Sequence, residues 1–437
     1  MLTYHITTAI KSLRRNPIVT ALLVGAIAIG ICVATTFITL RHLLGQDPLP
    51  GQSRNLFYIR MDNWDPQRAY VPEDPKSLPN QITYRDMREL MKSNIPTRQN
   101  GSYKTNMFVF PDPKVARPYN EEVRFVFSDF FPMFRVPFRY GSGWDKRADA
   151  KPEPVVVISK ATNDTLFGGV NSVGRTVRLE SRDYKVVGVL DEWRPSTRFY
   201  DLTSDFVSPP EKIFIPFNFA PILEARSSGN SDGWKGFTGT TFADFLNSDT
   251  DFVQFWVELP TPARQAAYND FLTGYVREQK KVGRFGRPLN NRVTNLTGLM
   301  DEWEVVPKQV KAMSIVSLLF LAVCSLNLVG LLLGKFLARV PEVSVRRALG
   351  ASRLQVFWQH VVECELVGIA GGAIGLLLSL GILKVMTKLL PFGEIIRLDG
   401  EMVLTAIFLS LVAGLLAGIY PAWRVCSVPP AMQLKIG

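Results

Sequence analysis

Four stretches of this chain contain no Asp, Glu, Lys or Arg: Ile18–Leu40, Ala312–Gly334, Leu366–Leu383 and Met402–Tyr420. They run 18 to 23 residues each, about the length an apolar helix needs to cross the hydrocarbon core of a bilayer. One charge at the centre of such a helix costs about 2.5–3.5 kcal/mol on insertion scales. Four charge-free runs therefore predict four transmembrane helices. The first run is too long for the apolar region of a removable signal, and it ends in Thr39-Leu40-Arg41-His42 with no small-residue cleavage site. It is expected to be a permanent span. The overall hydrophobic share of 47% is ordinary for a soluble protein; the clustering carries the information.

The loop between the second and third runs sets the orientation. Lys335, Arg339, Arg346, Arg347 and Arg353 crowd it against a single acid, Glu342, and short loops rich in Lys and Arg stay cytoplasmic. The N-terminus is then inside, Arg41–Lys311 outside, Lys384–Glu401 outside and Arg424–Gly437 inside. Lys384 and Lys388 run mildly against the bias. Met1–Arg15 reads as an amphipathic helix, with Leu2, Ile6, Ala9, Ile10 and Leu13 on one face and Lys11, Arg14 and Arg15 gathered before Asn16-Pro17. It lies in the membrane interface or packs on its neighbours.

About 270 residues between the first two spans are enough for one or two domains. Short β-branched or aromatic runs predict strands at Leu56–Arg60, Val123–Phe127, Pro154–Ile158, Thr176–Leu179, Tyr184–Leu190, Lys212–Pro216 and Asp251–Leu259. Helical periodicity marks Gln81–Lys92, Ser159–Phe167 and Pro262–Gln279, the last with Thr261 as N-cap. Thr197–Gly239 reads as lobe edge and surface loop. The aromatics Phe125, Phe127, Phe130, Phe131, Phe134 and Phe138 read as packing. Cys32, Cys324, Cys364 and Cys426 lie in or beside the apolar runs, leaving Arg41–Lys311 free of cysteine. A domain of that size needs no disulfide staples.

Within the spans, small residues recur three and four apart: Gly330 and Gly334, then Gly368, Gly371, Gly372 and Gly375, then Gly414 and Gly418. Such spacing lets helix backbones approach closely in lipid. The reading is helix packing within the chain or an interface with a second subunit. Glu363 and Glu365 open the third span on different sides of its helix, and a boundary carboxylate paired with a nearby Arg is the expected role. His5, His42 and His360 are scattered with no metal-ligand spacing. The net charge of +11 comes with no nucleic-acid-binding motif, and attraction to anionic membrane lipid accounts for much of it.

Taken together the pieces resemble the MacB/FtsX family of ABC transporter permeases, the type VII or mechanotransmission class that includes LolC and LolE. Ser12-Leu13-Arg14-Arg15-Asn16-Pro17 is similar to the family's basic approach to its first span. Glu342-Val343-Ser344-Val345-Arg346-Arg347-Ala348-Leu349-Gly350-Ala351-Ser352 resembles its signature after the second span, where Glu-Ile-Gly-Ile-Arg-x-Ala-Leu-Gly-Ala is usual. Glu363 ahead of Gly371-Gly372, Tyr420-Pro421-Ala422-Trp423-Arg424 and Val428–Leu434 match the remainder of the membrane part. Ser128–Phe134, Val155–Gly168, Ser172–Thr176 and Val186–Leu190 are similar to the MacB-like core domain.

The fold this implies is an α-helical membrane protein with four transmembrane helices and a large mixed α/β extracytoplasmic domain, with MacB-like porter and sabre lobes, between helices 1 and 2. The expected segments are a cytoplasmic amphipathic helix (1–16), transmembrane helix 1 (17–42), the periplasmic MacB-like core domain (43–307) and helix 2 (308–335). A cytoplasmic coupling loop (336–358), helix 3 (359–390), a short periplasmic loop (391–401), helix 4 (402–423) and a cytoplasmic tail (424–437) follow.

The resemblance also implies a bacterial inner-membrane location with both termini cytoplasmic, and a permease that is not itself an enzyme. An ABC ATPase subunit would dock on the coupling loop through Glu342, Val343, Arg346, Arg347, Leu349 and Gly350. Gly330, Gly334, Gly368, Gly372, Gly375, Gly414 and Gly418 would serve helix packing or a dimer interface with a second permease. No cofactor is expected on this chain, with ATP and Mg on the partner. A periplasmic adaptor and an outer-membrane channel are further expected partners, and nucleic acid is not. No ATPase is expected to be fused to this chain, Pro341 precedes the signature, and Ser344 replaces a usual glycine. Gly330–Lys335 lacks phosphate-loop spacing. Two functions stay open: a transport subunit that exports or extracts a substrate, or an FtsX-like signalling subunit regulating a periplasmic cell-wall hydrolase.

Overall fold

The computed structural model describes residues 2–112, 117–204, 206–389 and 400–427. The tail motif Val428–Leu434 and residues 391–399 of the expected short outer loop lie outside the described residues. The chain forms two compact units, residues 1–46 with 306–437, and residues 47–305.

The first unit is helical. Its elements are α1 (Leu2–Arg15), α2 (Pro17–Gly45), α10 (Lys308–Leu337), α11 (Val340–Ala348), α12 (Arg353–Leu389) and α13 (Gly400–Cys426). Four of these, α2, α10, α12 and α13, are long and apolar enough to span a membrane. Pro17 stops α1 and starts α2, because its fixed φ suits a first helical turn but its ring blocks an interior one. The glycines of α12 explain how closely three helices meet. A Cβ on Gly368 would lie 2.9 Å from the Ser410 carbonyl oxygen of α13, and one on Gly372 2.4 Å from Ser410 Cβ. One turn around, a Cβ on Gly371 would lie 2.7 Å from Ile27 of α2, and one on Gly375 2.6 Å from the Ala28 carbonyl oxygen. Thus α12 uses alternate glycines against α13 and α2.

The second unit is built on one eleven-stranded sheet. Its strands are β1 (Leu56–Arg60), β2 (Ile82–Thr83), β3 (Arg98–Phe110), β4 (Tyr119–Val126), β5 (Phe138–Gly141) and β6 (Val155–Ile158). Then come β7 (Thr176–Leu179), β8 (Arg182–Leu190), β9 (Ile213–Pro216), β10 (Asp251–Glu258) and β11 (Arg292–Asn295). The main path runs β11-β1-β10-β3-β4-β9-β6-β8-β5; β2 pairs with β10, and β7 pairs with β3 and β8. All neighbours are antiparallel except β4–β9 and β6–β8.

Both faces of the sheet are covered, which is why Val155–Ile158 is apolar without alternation. Ile59, Val156, Ile158, Ile213, Ile215 and Phe255 point to one core, closed by Tyr268, Leu272 and Val276 of α8 (Pro262–Lys281). Tyr58, Val155, Val157, Phe214 and Trp256 point to the other, closed by Phe130, Phe131 and Phe134 and by Leu296 and Leu299. The aromatic run near Phe130 is therefore packing material, as its density suggests. Thr261 caps α8 by accepting the Arg264 N–H at 3.3 Å.

Sequence patterning missed β3, the longest strand. Its first half pairs with β10 and its second with β4, so it joins strands drawn from the ends of the domain to those drawn from its middle. Arg98-Gln99-Asn100-Gly101-Ser102 shows no alternation, because its buried positions are polar: Asn100 Oδ1 accepts the Phe127 N–H at 2.9 Å and Ser102 Oγ accepts from Arg124 at 3.1 Å. The expected surface loop Thr197–Gly239 also needs correction. Thr197 to Leu202 are buried, with Phe199, Tyr200 and Leu202 in the second core.

The buried turn completes a charged cluster. Arg124 on β4 is fully enclosed, and its guanidinium donates to Asp201 and, at 2.8 Å, to Glu211 Oε1. Arg198 donates to the same Glu211 oxygen at 3.1 Å, and Tyr200 Oη to its other oxygen at 2.8 Å. Burial works to raise the Glu211 pKa, but Arg124 and Arg198 overcome it and hold the carboxyl down at about 2.

Candidate coupling site

The helix α11, between the second and third spans, is amphipathic across its axis and polarised along it. Pro341 sits in its first turn, where no amide donor is missed. Glu342 lies at the N-terminal end, and Arg346 and Arg347 at the C-terminal end, matching the helix dipole. Glu342 and Arg346 pair at 2.8 Å, one turn apart. Val340, Val343 and Ser344 are buried, the two valines in the apolar core of the helical unit. Val345 and Leu349 face away, Leu349 with 83% of its surface exposed.

Gly350 ends the helix. Its N–H bonds the Arg347 carbonyl and the Ala351 N–H bonds the Arg346 carbonyl, both at 3.1 Å, the crossed pair of a glycine-terminated helix. Gly350 has φ +103°, which a side chain disfavours. Ser352 and Gln355 then cap the start of α12 reciprocally, at 3.2 and 3.0 Å. Gly350→Val is expected to lower stability by about 1–2 kcal/mol through strain at this φ and to loosen the α11–α12 turn. Thermal unfolding of the purified full chain checks it; an unchanged midpoint would show that the turn relaxes freely.

Behind α11 is a charged node. Glu363 of α12 is 1% exposed and lies 2.7 Å from Lys335 Nζ of α10 and 3.7 Å from Arg339. Ser12 of α1 donates to Glu363 and accepts from Arg339. The node thus joins α1, α10 and α12. The expected Arg is present as Arg339, and a nearer cation joins it, Lys335, which sequence reasoning counted only as loop charge. That Lys335 and Glu363 lie at the loop-side ends of consecutive spans was the available signal. Glu365 points elsewhere, its carboxylate 3.2 Å from where a Cβ on Gly414 would lie. Glu363→Gln keeps the volume and leaves Lys335 enclosed without its counter-charge, at a cost of about 3 kcal/mol or more. A drop in the unfolding midpoint together with loss of coupled ATP hydrolysis is the expected result. If both are unchanged, the node has no part in coupling.

The structure separates the site residues singled out from sequence. Glu342, Arg346 and Leu349 are available at the surface of α11, while Val343 is turned inward. Arg347 reaches across to the Cys426 carbonyl at the end of α13, at 3.2 Å. Its charge reversal would therefore disturb the bundle as well as any docking. Gly368, Gly372 and Gly375 pack within the chain, as do Gly414 and Gly418, the latter with Cys364 2.5 Å from its missing Cβ. Gly330 and Gly334 of α10 have nothing within 4 Å of a Cβ position.

The MacB-like periplasmic core domain family matches residues 20–274, and the FtsX-like permease C-terminal family matches residues 314–430, bracketing α11. The chain belongs to the MacB/FtsX-like permease family. It is 24% identical over 336 residues to the macrolide export ATP-binding/permease protein MacB of Syntrophobacter fumaroxidans, covering 70% of this chain and 46% of that protein. It is 21% identical to the uncharacterized ABC transporter permease YvrN of Bacillus subtilis, covering 70% of this chain and 68% of that one. The periplasmic region of MacB from Actinobacillus actinomycetemcomitans aligns with 59% of this chain and 98% of its own length, at 13% identity and a TM-score of 0.37. The chain spans about half the length of most MacB relatives it matches. As a MacB/FtsX-like permease it is a multi-pass inner-membrane protein with a mixed α/β periplasmic domain.

Proposed function

We propose that this chain is the permease subunit of an ABC transporter, driven by a separate ATPase that carries ATP and Mg and grips α11 from the cytoplasm. Closure of the ATPase would pull on α11, and the charged node would pass the movement into α10 and α12. The periplasmic domains would then export or extract a substrate that does not cross the bundle core. The observation that carries this reading is the division of α11 into an inner face held by the spans and an outer face presenting Val345 and Leu349. A second permease completes the unit, and Gly330 and Gly334 on α10, two of the glycines singled out from sequence, have no neighbour inside the chain within 4 Å of a Cβ position. A periplasmic adaptor and an outer-membrane channel would complete the path.

The experiment is affinity purification of the full chain from native membranes. Recovery of an ATPase with an adaptor supports transport, recovery of an ATPase with a cell-wall hydrolase supports the signalling role, and recovery of no ATPase overturns both. Sidedness is checked with an impermeant thiol reagent on intact spheroplasts. A cysteine at Ser231 should react and one at Ala348 should not; the reverse pattern would turn the assembly upside down.

A further inference from the structure

The same end of the bundle holds a cavity of about 210 Å³ between α1, α11 and α12. Lys11 and Arg15 of α1, Arg339 before α11 and Arg346 on it line the cavity, with Glu342 as the one carboxylate among its lining residues. Glu342 is already engaged by Arg346 at 2.8 Å and approached by Arg15 at 3.9 Å. Among the described residues Lys11 has no ionic partner. His360 gives a second, independent sign of a missing ligand. It lines the cavity, is 3% exposed, and neither ring nitrogen has a hydrogen-bond partner. The nearest carboxylate oxygen, on Glu363, is 3.9 Å from its Nδ1, beyond hydrogen-bond reach.

Depth decides what fills the cavity. Arg15 directly precedes the turn into α2, Arg339 follows the charge-free run of α10 by five residues, and His360 precedes the charge-free run of α12, which starts at Leu366, by six. The walls therefore sit where a span leaves hydrocarbon, at the level of lipid phosphates. Guanidinium forks and an ammonium converging on one small volume match the oxygens of a phosphate monoanion.

We propose that this cavity binds the phosphate headgroup of an anionic phospholipid of the cytoplasmic leaflet. The lipid bridges α1 to α11, adding to the hold that Ser12 gives α1 on Glu363 and Arg339. The site needs only the membrane placement of the bundle and stands independently of the ATPase reading.

The test uses the full chain, without ATPase, in nanodiscs of phosphatidylcholine alone or with phosphatidylglycerol added. Phosphatidylglycerol should raise the unfolding midpoint and be retained in native mass spectrometry. Lys11→Glu should cut that retention at least about fivefold, given roughly 1 kcal/mol per basic residue near the surface. Arg14→Glu makes the same charge change on an exposed residue outside the cavity lining and should leave retention unchanged. An equal fall in both variants would mean diffuse attraction and overturn the site. Reproduction of the stabilisation by inorganic phosphate in phosphatidylcholine discs would overturn the lipid as its source. In a parallel reconstitution with the ATPase added, loss of ATPase binding in Lys11→Glu with lipid retention intact would assign the cavity to an acidic protein segment and overturn the proposal.

Discussion

Leu349→Asp should leave the chain inserted, folded and as heat-stable as the parent, yet abolish its association with the ATPase and stimulated ATP turnover. With 83% of its surface open, Leu349 has little to lose inside its own unit. An apolar side chain ringed by charges on a short helix is the pattern of an interface anchor, and removing such an anchor costs about 2 kcal/mol or more, roughly a thirtyfold loss of affinity. The carboxylate adds the penalty of burying an unpaired charge beneath the partner. Val345→Asp, on the same outer face, should act in the same direction. Arg347 is a poorer probe because it also holds the end of α13. Binding and stimulated hydrolysis unchanged in Leu349→Asp would remove the outer face of α11 from the proposed mechanism.

Arg124→Met should destabilise the periplasmic domain by about 3–5 kcal/mol, the cost of stripping one partner from a buried ion cluster. Total stability of a domain is about 5–15 kcal/mol, so the variant is expected to be protease-sensitive near ordinary growth temperatures. Glu211 keeps Arg198 and Tyr200, whereas Asp201 is left with neutral donors, the Gln254 amide, the Thr203 hydroxyl and the Ser204 N–H. Replacing Arg124, Arg198, Asp201 and Glu211 together by apolar residues should recover much of the loss, since the buried charges are then removed as a set. The same cluster sets an acid limit. Glu211 has its pKa lowered from 4.5 to about 2 on folding, so its stabilisation is complete above the unfolded value and is lost as pH falls from 4.5 towards 2. Limited proteolysis across that range, comparing parent with Glu211→Gln, reads it; parallel curves would show that another group governs acid unfolding.

Much of the membrane part was legible because bilayer insertion is a local property. Charge-free length predicts the spans, and Asn16-Pro17 marks the α1–α2 break, without reference to the rest of the molecule. Pro341 likewise announces the start of α11 through its own φ, whereas Gly350, read from sequence as a docking residue, proves to end that helix. The strands with continuous β-branched runs were visible for the same reason. β3 was not, because its buried polar residues Asn100 and Ser102 accept from Phe127 and Arg124, more than twenty residues along the chain, and no short window of sequence contains both.

The candidate site divides along the same line. Sequence supplied the arginine-rich helix and the acidic residue opening the third span. Only the tertiary structure put Glu363 against Lys335 and Ser12, turned Val343 inward and Leu349 outward, and left His360 facing a basic cavity. It alone divided the glycines into those used inside the bundle and those left open. Which residues are in the membrane follows from the free energy of transferring each short segment. Which of them meet depends on how the helices rotate about their axes, and packing between distant segments decides that.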